Sequence, residues 1–152
     1  MTPTPVLVAL LMRVFWGEAR WESAPDHIAI GSILVAKSER RGVTLQEVVR
    51  VEIDKWSHAT DHHPWLLALG SDCTRPQGWS ERKEWPEDKC LKLAARARMV
   101  LRGAARHPCP TATGWRAPQR QNPKALRRAL RKGYQRVYCG RTVNVFLREP
   151  KR

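Results

Sequence analysis

Five segments of this chain repeat apolar residues at helical spacing, and residues that cap helices flank most of them. The first segment covers residues 5–21 and places Leu7, Leu11 and Val14 on one face of a helix. The chain has 152 residues and no linker that would divide it, so these segments predict one mostly helical domain over residues 1–152.

Capping boxes predict where the second and third helices begin. Ser23-Ala-Pro-Asp26 has a proline in the first turn and starts a mostly buried helix over residues 23–39. Capping is therefore the expected role of Asp26. Thr44-Leu-Gln-Glu47 starts a short third helix that runs through Val49.

Two more helices follow a long loop. Residues 54–84 are rich in proline, glycine and histidine and predict a structured loop. Pro86, followed by two acidic residues, opens a fourth helix that Gly103 should end. Asn122 and the proline after it open a fifth, strongly basic helix that should stop at Gly133.

The last segment has the two-residue alternation of strands. Residues 136–147 carry alternating apolar residues on either side of a Cys139-Gly-Arg141 turn. This pattern predicts a small C-terminal β-hairpin. With the five helices, it gives a mostly α (α+β) fold class.

The chain has four cysteines, Cys73, Cys90, Cys109 and Cys139. No two of them form a Cys-x-x-Cys pair, so a structural zinc site is not expected. We expect buried free thiols, and one or two disulfides are the alternative.

Positive charge dominates the composition and gathers toward the C-terminus. There are 28 Lys and Arg against 14 Asp and Glu, and residues 116–152 hold 12 of these cations with one acid, Glu149. Such a chain should attract polyanions.

The fifth helix is amphipathic, with Leu126 and Leu130 on one side. It is predicted to meet anionic cell-wall or outer-membrane polymers, and an ordinary surface helix docked by its leucines is the alternative.

A glutamate continues the apolar face of the first helix. Glu18 follows Leu11 and Val14 on that face and falls in the last turn, where the helix dipole disfavours a negative charge. Burial and the dipole both favour the protonated carboxyl group that a general acid needs, and a glycosidic bond needs such an acid. The alternative is a buried pair with Arg13 or Arg20 that only orders the helix.

The residues around this glutamate carry a family resemblance. Gly17-Glu-Ala-Arg20 and Glu22, followed by the apolar run Ile28-Ala-Ile-Gly-Ser-Ile-Leu34, resemble the opening of the spore-cortex-lytic type cell-wall hydrolases of bacteria and their phages. Trp21 stands where that family usually has glycine. Val35-Ala-Lys37 stands where it usually has Leu-Asn-Arg.

Later segments resemble the same family more loosely. They are Lys55-Trp-Ser57, Val100-Leu-Arg-Gly103, Pro110-Thr-Ala-Thr-Gly-Trp115 and Cys139-Gly-Arg-Thr-Val-Asn-Val-Phe146. Gly114 replaces a histidine that is usual in the third of them. The resemblance thus covers most of the chain except its histidine-rich middle.

The resemblance implies a lysozyme-like helical fold that cuts the β-1,4 bond between N-acetylmuramic acid and N-acetylglucosamine in peptidoglycan. The family's acid/base maps to Glu18. Many members are lytic transglycosylases, in which the sugar's own 6-hydroxyl closes an anhydro ring in place of water. We favour that reaction over the muramidase reaction because no second carboxylate stands out. Glu22 either flanks the site or is a solvated acid at the helix end.

Four further residues are expected to bind the glycan. Sugar rings pack their apolar faces on aromatic rings, which favours Trp56 and Trp115, although a single tryptophan is more often part of a core. Arg20 is expected to orient the acid or hold a muramic-acid substituent, and Arg116 to line the same groove. Surface positions without function are the alternative for both arginines.

One cluster has metal-ligand residue types, namely His58, Asp61, His62 and His63. No glutamate lies between its histidines in the His-Glu-x-x-His manner, and Pro64 argues against a long helix. A polar loop is expected, with no metal and no cofactor.

Two other functions compete with an enzyme. A nucleic-acid-binding protein would explain the charge, but no known binding motif is present and specific nucleic acid is not expected as a partner. The other is a cell-wall-binding module without activity.

The apolar run at residues 6–12 is too short to span a membrane and lacks signal-peptide features. We therefore expect a monomeric phage-type endolysin, made in the cytoplasm, that acts in the periplasm or cell wall after release or on a virion.

Overall fold

The computed structural model describes residues 3–55, 63–118 and 122–151. Within these residues, five α-helices are present: α1 (Pro5–Ala19), α2 (Ala24–Arg41), α3 (Leu45–Asp54), α4 (Glu87–Leu101) and α5 (Pro123–Arg131). A 3-10 helix covers Pro64–Ala68, and the strands are β1 (Gly114–Arg116), β2 (Gln135–Val137) and β3 (Val145–Arg148). The predicted mostly α fold with a small amount of β structure is confirmed.

Helix α1 is the centre of the core and packs against α2, α3 and α4. Its predicted apolar face is confirmed, since Leu11 and Val14 are fully buried. Close approach of α2 depends on Gly31, because a Cβ there would lie 2.9 Å from Cγ1 of Val100 and 3.0 Å from Cζ of Phe15. The three helices therefore hold α1 tightly up to its last turn.

Several predicted helix ends are confirmed. Thr44 Oγ1 accepts a hydrogen bond from Glu47 N at 3.2 Å, and Asn122 Oδ1 accepts one from Ala125 N at 3.2 Å. Gly103 has a φ of +69°, which ends the fourth helix as predicted. The third helix, however, runs to Asp54 and not only to Val49.

The predicted capping box at the start of α2 is wrong. The hydroxyl of Ser23 makes no capping bond to the backbone and donates to the carboxylate of Asp26. Asp26 is fully buried and accepts hydrogen bonds from the far end of the chain. Capping is therefore not its main role.

The first helix also ends earlier than predicted. Arg20 has a φ of +57°, which a non-glycine residue rarely adopts, so the helix stops at Ala19 and not at Trp21. The amide of Arg20 still donates to Trp16 O at 2.8 Å, which satisfies one of the last helical carbonyls.

The predicted C-terminal hairpin forms the middle and one edge of a three-stranded antiparallel sheet. Strand order is β1-β3-β2, and Phe146 of β3 lies opposite both Val137 and Trp115. Strand β1 was not predicted. Helix α5 docks on β3 through Leu126, which packs with Leu147 in a small second cluster.

Two disulfides join Cys73 to Cys90 and Cys109 to Cys139. The expected free thiols are therefore wrong, and the alternative of two disulfides is right. Of the helices in the described residues, none has both the length and the apolar composition needed to cross a bilayer.

Candidate active site

A cleft of about 600 Å³ opens beside the last turn of α1. Helices α2 and α3, strand β1 and the start of α5 form its walls. Its lining includes Glu18, Ile33, Glu52, Trp115, Arg116 and Tyr134. Three of the predicted site residues, Glu18, Trp115 and Arg116, thus lie in one cleft that is large enough for a sugar unit.

Glu18 is half-buried and lies at the C-terminal end of α1, as its position on the apolar face predicts. The preceding residues on that face, Leu11 and Val14, are in the core, so the side chain of Glu18 emerges where the helix leaves the core and meets the cleft. A carboxyl group in this position is held on a rigid helix and remains accessible to solvent and to a ligand.

Asn144 fixes the backbone at Glu18. Its side-chain amide donates to Glu18 O at 3.0 Å and to Asp26 Oδ1 at 2.9 Å. Asp26 also accepts from the backbone amides of Val143 and Asn144, at 2.7 and 3.0 Å. The end of α1, the start of α2 and the start of β3 are therefore joined by one buried carboxylate and one buried amide.

A buried histidine holds the turn that follows. His27 Nε2 donates to Arg20 O at 3.0 Å, and its Nδ1 accepts from Arg96 Nη1 at 3.3 Å. Arg96 also donates to Trp21 O at 2.7 Å. Burial, and then the nearby Arg96 guanidinium, lower the pKa of His27 to about 4. The ring is therefore neutral at neutral pH, which this hydrogen-bond pattern requires.

Trp115 and Arg116 reach the cleft from β1. Trp115 is half-buried and packs against the core, so its ring is held in place, and the Arg116 guanidinium donates to Trp115 O at 2.7 Å. A Cβ on Gly114 would meet only Arg116 Nη1, at 3.8 Å. The cleft thus has open space beside Gly114.

A second carboxylate, not predicted, lines the cleft. Glu52 on α3 is only 8% exposed, and its Oε1 lies 3.1 Å from Lys55 Nζ and 3.8 Å from Lys37 Nζ. Sequence reasoning missed it because the third helix was expected to stop at Val49. The spacing of Glu52 and Lys55 on a longer helix was the available signal.

Two other predicted site residues, Arg20 and Glu22, lie elsewhere. The Arg20 guanidinium lies 4.2 Å from the ring centre of Trp16, and Glu22 is exposed and pairs with Lys89 at 2.7 Å. Neither is part of the cleft lining. Trp56 lies outside the described residues.

Five tryptophans form a cluster at the C-terminal end of α1: Trp16, Trp21, Trp65, Trp79 and Trp85. Trp21 stacks on Trp65 with ring centres 5.9 Å apart. A smaller cleft of about 360 Å³ borders this cluster. These rings anchor the turn after Glu18 to the long loop.

In the part of the chain that the structure describes, no group of three or more His, Cys, Asp or Glu is placed to hold a metal ion. Of the histidine cluster, His63 is described and its ring contacts Trp16 with centres 4.9 Å apart. His58, Asp61 and His62 lie outside the described residues.

Comparisons with known proteins add no identification. No family model matches the chain, and no curated protein or solved structure matches it.

Proposed function

We propose that this chain cleaves the β-1,4 bond between N-acetylmuramic acid and N-acetylglucosamine in peptidoglycan, with Glu18 as general acid/base. The observation that carries the proposal is the position of Glu18. It is a half-buried carboxyl group at the C-terminal end of a core helix, facing a cleft of about 600 Å³ that also holds Trp115. The resemblance around Gly17-Glu-Ala-Arg20 supports the same role.

The chemistry needs one acid that can also act as a base. Glu18, protonated, gives its proton to the glycosidic oxygen as the bond from that oxygen to C1 of muramic acid breaks. The 6-hydroxyl of the same sugar then attacks C1 and returns its proton to Glu18, which leaves a 1,6-anhydro end. In the muramidase alternative, water attacks C1 and a second carboxylate assists.

The walls of the cleft suit a glycan. Trp115 offers an aromatic face for a sugar ring, and Arg116, held against the Trp115 carbonyl, is placed to donate hydrogen bonds to sugar substituents. Arg20 and Glu22 are not part of this proposal because their side chains pack on Trp16 and Lys89.

The proposal extends to where the protein acts. Two disulfides are typical of proteins that work in oxidising surroundings, which favours the periplasm or cell wall over the cytoplasm. Helix α5 buries Leu126 and Ala129 and exposes its cations, so it can hold anionic wall or outer-membrane polymers while the cleft holds the glycan. A phage-type endolysin would have these properties.

The test is to incubate the purified protein with bacterial sacculi and to identify the released fragments by mass spectrometry. Anhydro-muropeptides would support the transglycosylase, and reducing ends the muramidase. Protein that pellets with sacculi but releases nothing would indicate a wall-binding module. Salt-dependent binding to DNA without release of fragments would favour a nucleic-acid-binding protein.

A further inference from the structure

The cleft at Glu18 carries more cations than a neutral sugar needs. Besides Arg116, it is lined by four cations that we call the cationic rim: Lys37, Arg40 and Arg41 from α2, and Lys55 just after α3. Glycosidic bond cleavage by Glu18 gives no role to these four side chains.

Only part of the rim is neutralised within the protein. Glu52 lies between Lys37 and Lys55 and pairs with both, so one negative charge is shared by two cations. Arg40 and Arg41 are exposed in the last turn of α2, and neither pairs with an acid among the described residues. The cleft lining thus holds five cations against three acids, Glu18, Glu52 and Glu149.

The rim cations are close enough to repel one another. Burial lowers the pKa of Lys37, and Arg41, Lys55 and Arg40 lower it further against the opposing effect of Glu52. An anion bound at this end of the cleft would relieve that repulsion, and exposed guanidinium groups match the geometry of a carboxylate.

We propose that Arg40 and Arg41 bind carboxylates carried by the glycan, which makes the cleft selective for strands with free carboxylates. The inference rests on the proposed function for the identity of the glycan. On peptidoglycan, the carboxylates belong either to the peptide stem or to the lactyl group of a muramic acid that has lost its stem. Both sources present the same chemistry to a guanidinium group.

Binding in an inactive background tests this selectivity apart from catalysis. Glu18→Gln protein would be titrated at fixed low salt with three glycan preparations: stem-bearing strands, strands stripped by an amidase, and stem-bearing strands whose carboxylates are converted to neutral amides. The same titrations would be run with Arg40→Gln/Arg41→Gln added. Arg102→Gln/Arg106→Gln is the matched control, since it removes the same charge from exposed positions outside the cleft lining.

We expect at least one of the two carboxylate-bearing preparations to bind about tenfold more tightly than the amidated strands. Preference for stem-bearing strands identifies the peptide stem as the source of the carboxylate, and preference for stripped strands identifies the lactyl group. The preference should vanish in the Arg40→Gln/Arg41→Gln protein and persist in the control. Equal binding of amidated strands, or a preference that both double variants keep, would overturn the inference. If the preference depends on Arg40 and Arg41 but the wild type cleaves no strand, the inference holds for binding and the proposed enzyme activity fails.

Discussion

The side-chain amide of Asn144 donates a hydrogen bond to the backbone carbonyl of Glu18 at 3.0 Å. The same amide donates to Asp26, a fully buried carboxylate, and Asn144 is itself 4% exposed. The last turn of α1 is therefore tied to the C-terminal sheet by a residue 126 positions away in the chain. This tie links the stability of the fold to the position of the candidate acid.

Asn144→Ala should lower the free energy of unfolding by about 2 kcal/mol, because it leaves buried acceptors on Glu18 and Asp26 without this donor. Asn144→Asp should cost more, since it sets a second carboxylate against Asp26. Urea unfolding measures both. Val143→Ala is the control and should change stability by less than about 0.5 kcal/mol, because its side chain is exposed and its amide is kept. Equal stability of all three variants would refute the network.

The protein should lose stability in mild acid through His27. The pKa of His27 is lowered from 6.5 to about 4 by burial and Arg96, so the unfolded chain binds this proton first as the pH falls. The contribution of neutral His27 to the free energy of unfolding is therefore fully present above about pH 6.5. It decreases by about 3 kcal/mol as the pH falls from about 6.5 to about 4. His27→Gln, which keeps a donor and an acceptor, should flatten this part of a plot of stability against pH. An unchanged slope in the variant would show that other groups cause the effect.

Each disulfide should stabilise the fold by constraining the unfolded chain. The closed segments span 17 and 30 residues, for which the chain-entropy model gives about 3 to 4 kcal/mol each. Urea unfolding with and without a reductant measures the loss, and the pairs Cys73→Ala/Cys90→Ala and Cys109→Ala/Cys139→Ala assign it. If the cysteines were free thiols, a reductant would leave the unfolding midpoint of the wild type unchanged.

Glu52→Gln distinguishes the two possible reactions at the cleft. A transglycosylase needs no second carboxylate, so we expect the variant to release anhydro-muropeptides with less than about a tenfold loss of rate. Glu47→Gln, on the same helix but exposed and outside the cleft lining, is the control. A loss approaching that of a Glu18 variant, with reducing-end products from the wild type, would instead make Glu52 the second carboxylate of a muramidase.

Local patterns in the sequence were enough to predict most of the helices and the position of Glu18. Helical spacing identified the face of Leu11 and Val14, and the predicted caps at Thr44 and Asn122 form as expected. These features depend on neighbours within a few residues, so the sequence carries them directly.

Features made by distant residues could not be predicted in this way. Asp26 follows Ser23 at the spacing of a capping box, but its backbone donors, Val143 and Asn144, begin 117 residues further along the chain. Strand β1 has only three residues, too few for an alternating pattern, and its pairing with β3 brings Trp115 to the cleft. Four cysteines allow three pairings, and the sequence does not choose among them. The cationic rim likewise forms only in the folded chain, where the end of α2 lies beside α3 and β1.

The most direct test of the central claim compares wild type with Glu18→Gln on purified sacculi, with released fragments identified by mass spectrometry. The substitution keeps the size of the side chain and removes its acid. We predict anhydro-muropeptides from the wild type and a loss of about a hundredfold or more in the variant, with an unchanged circular dichroism spectrum. Equal release by both proteins, or none by either, would contradict the assignment of Glu18 as the general acid/base.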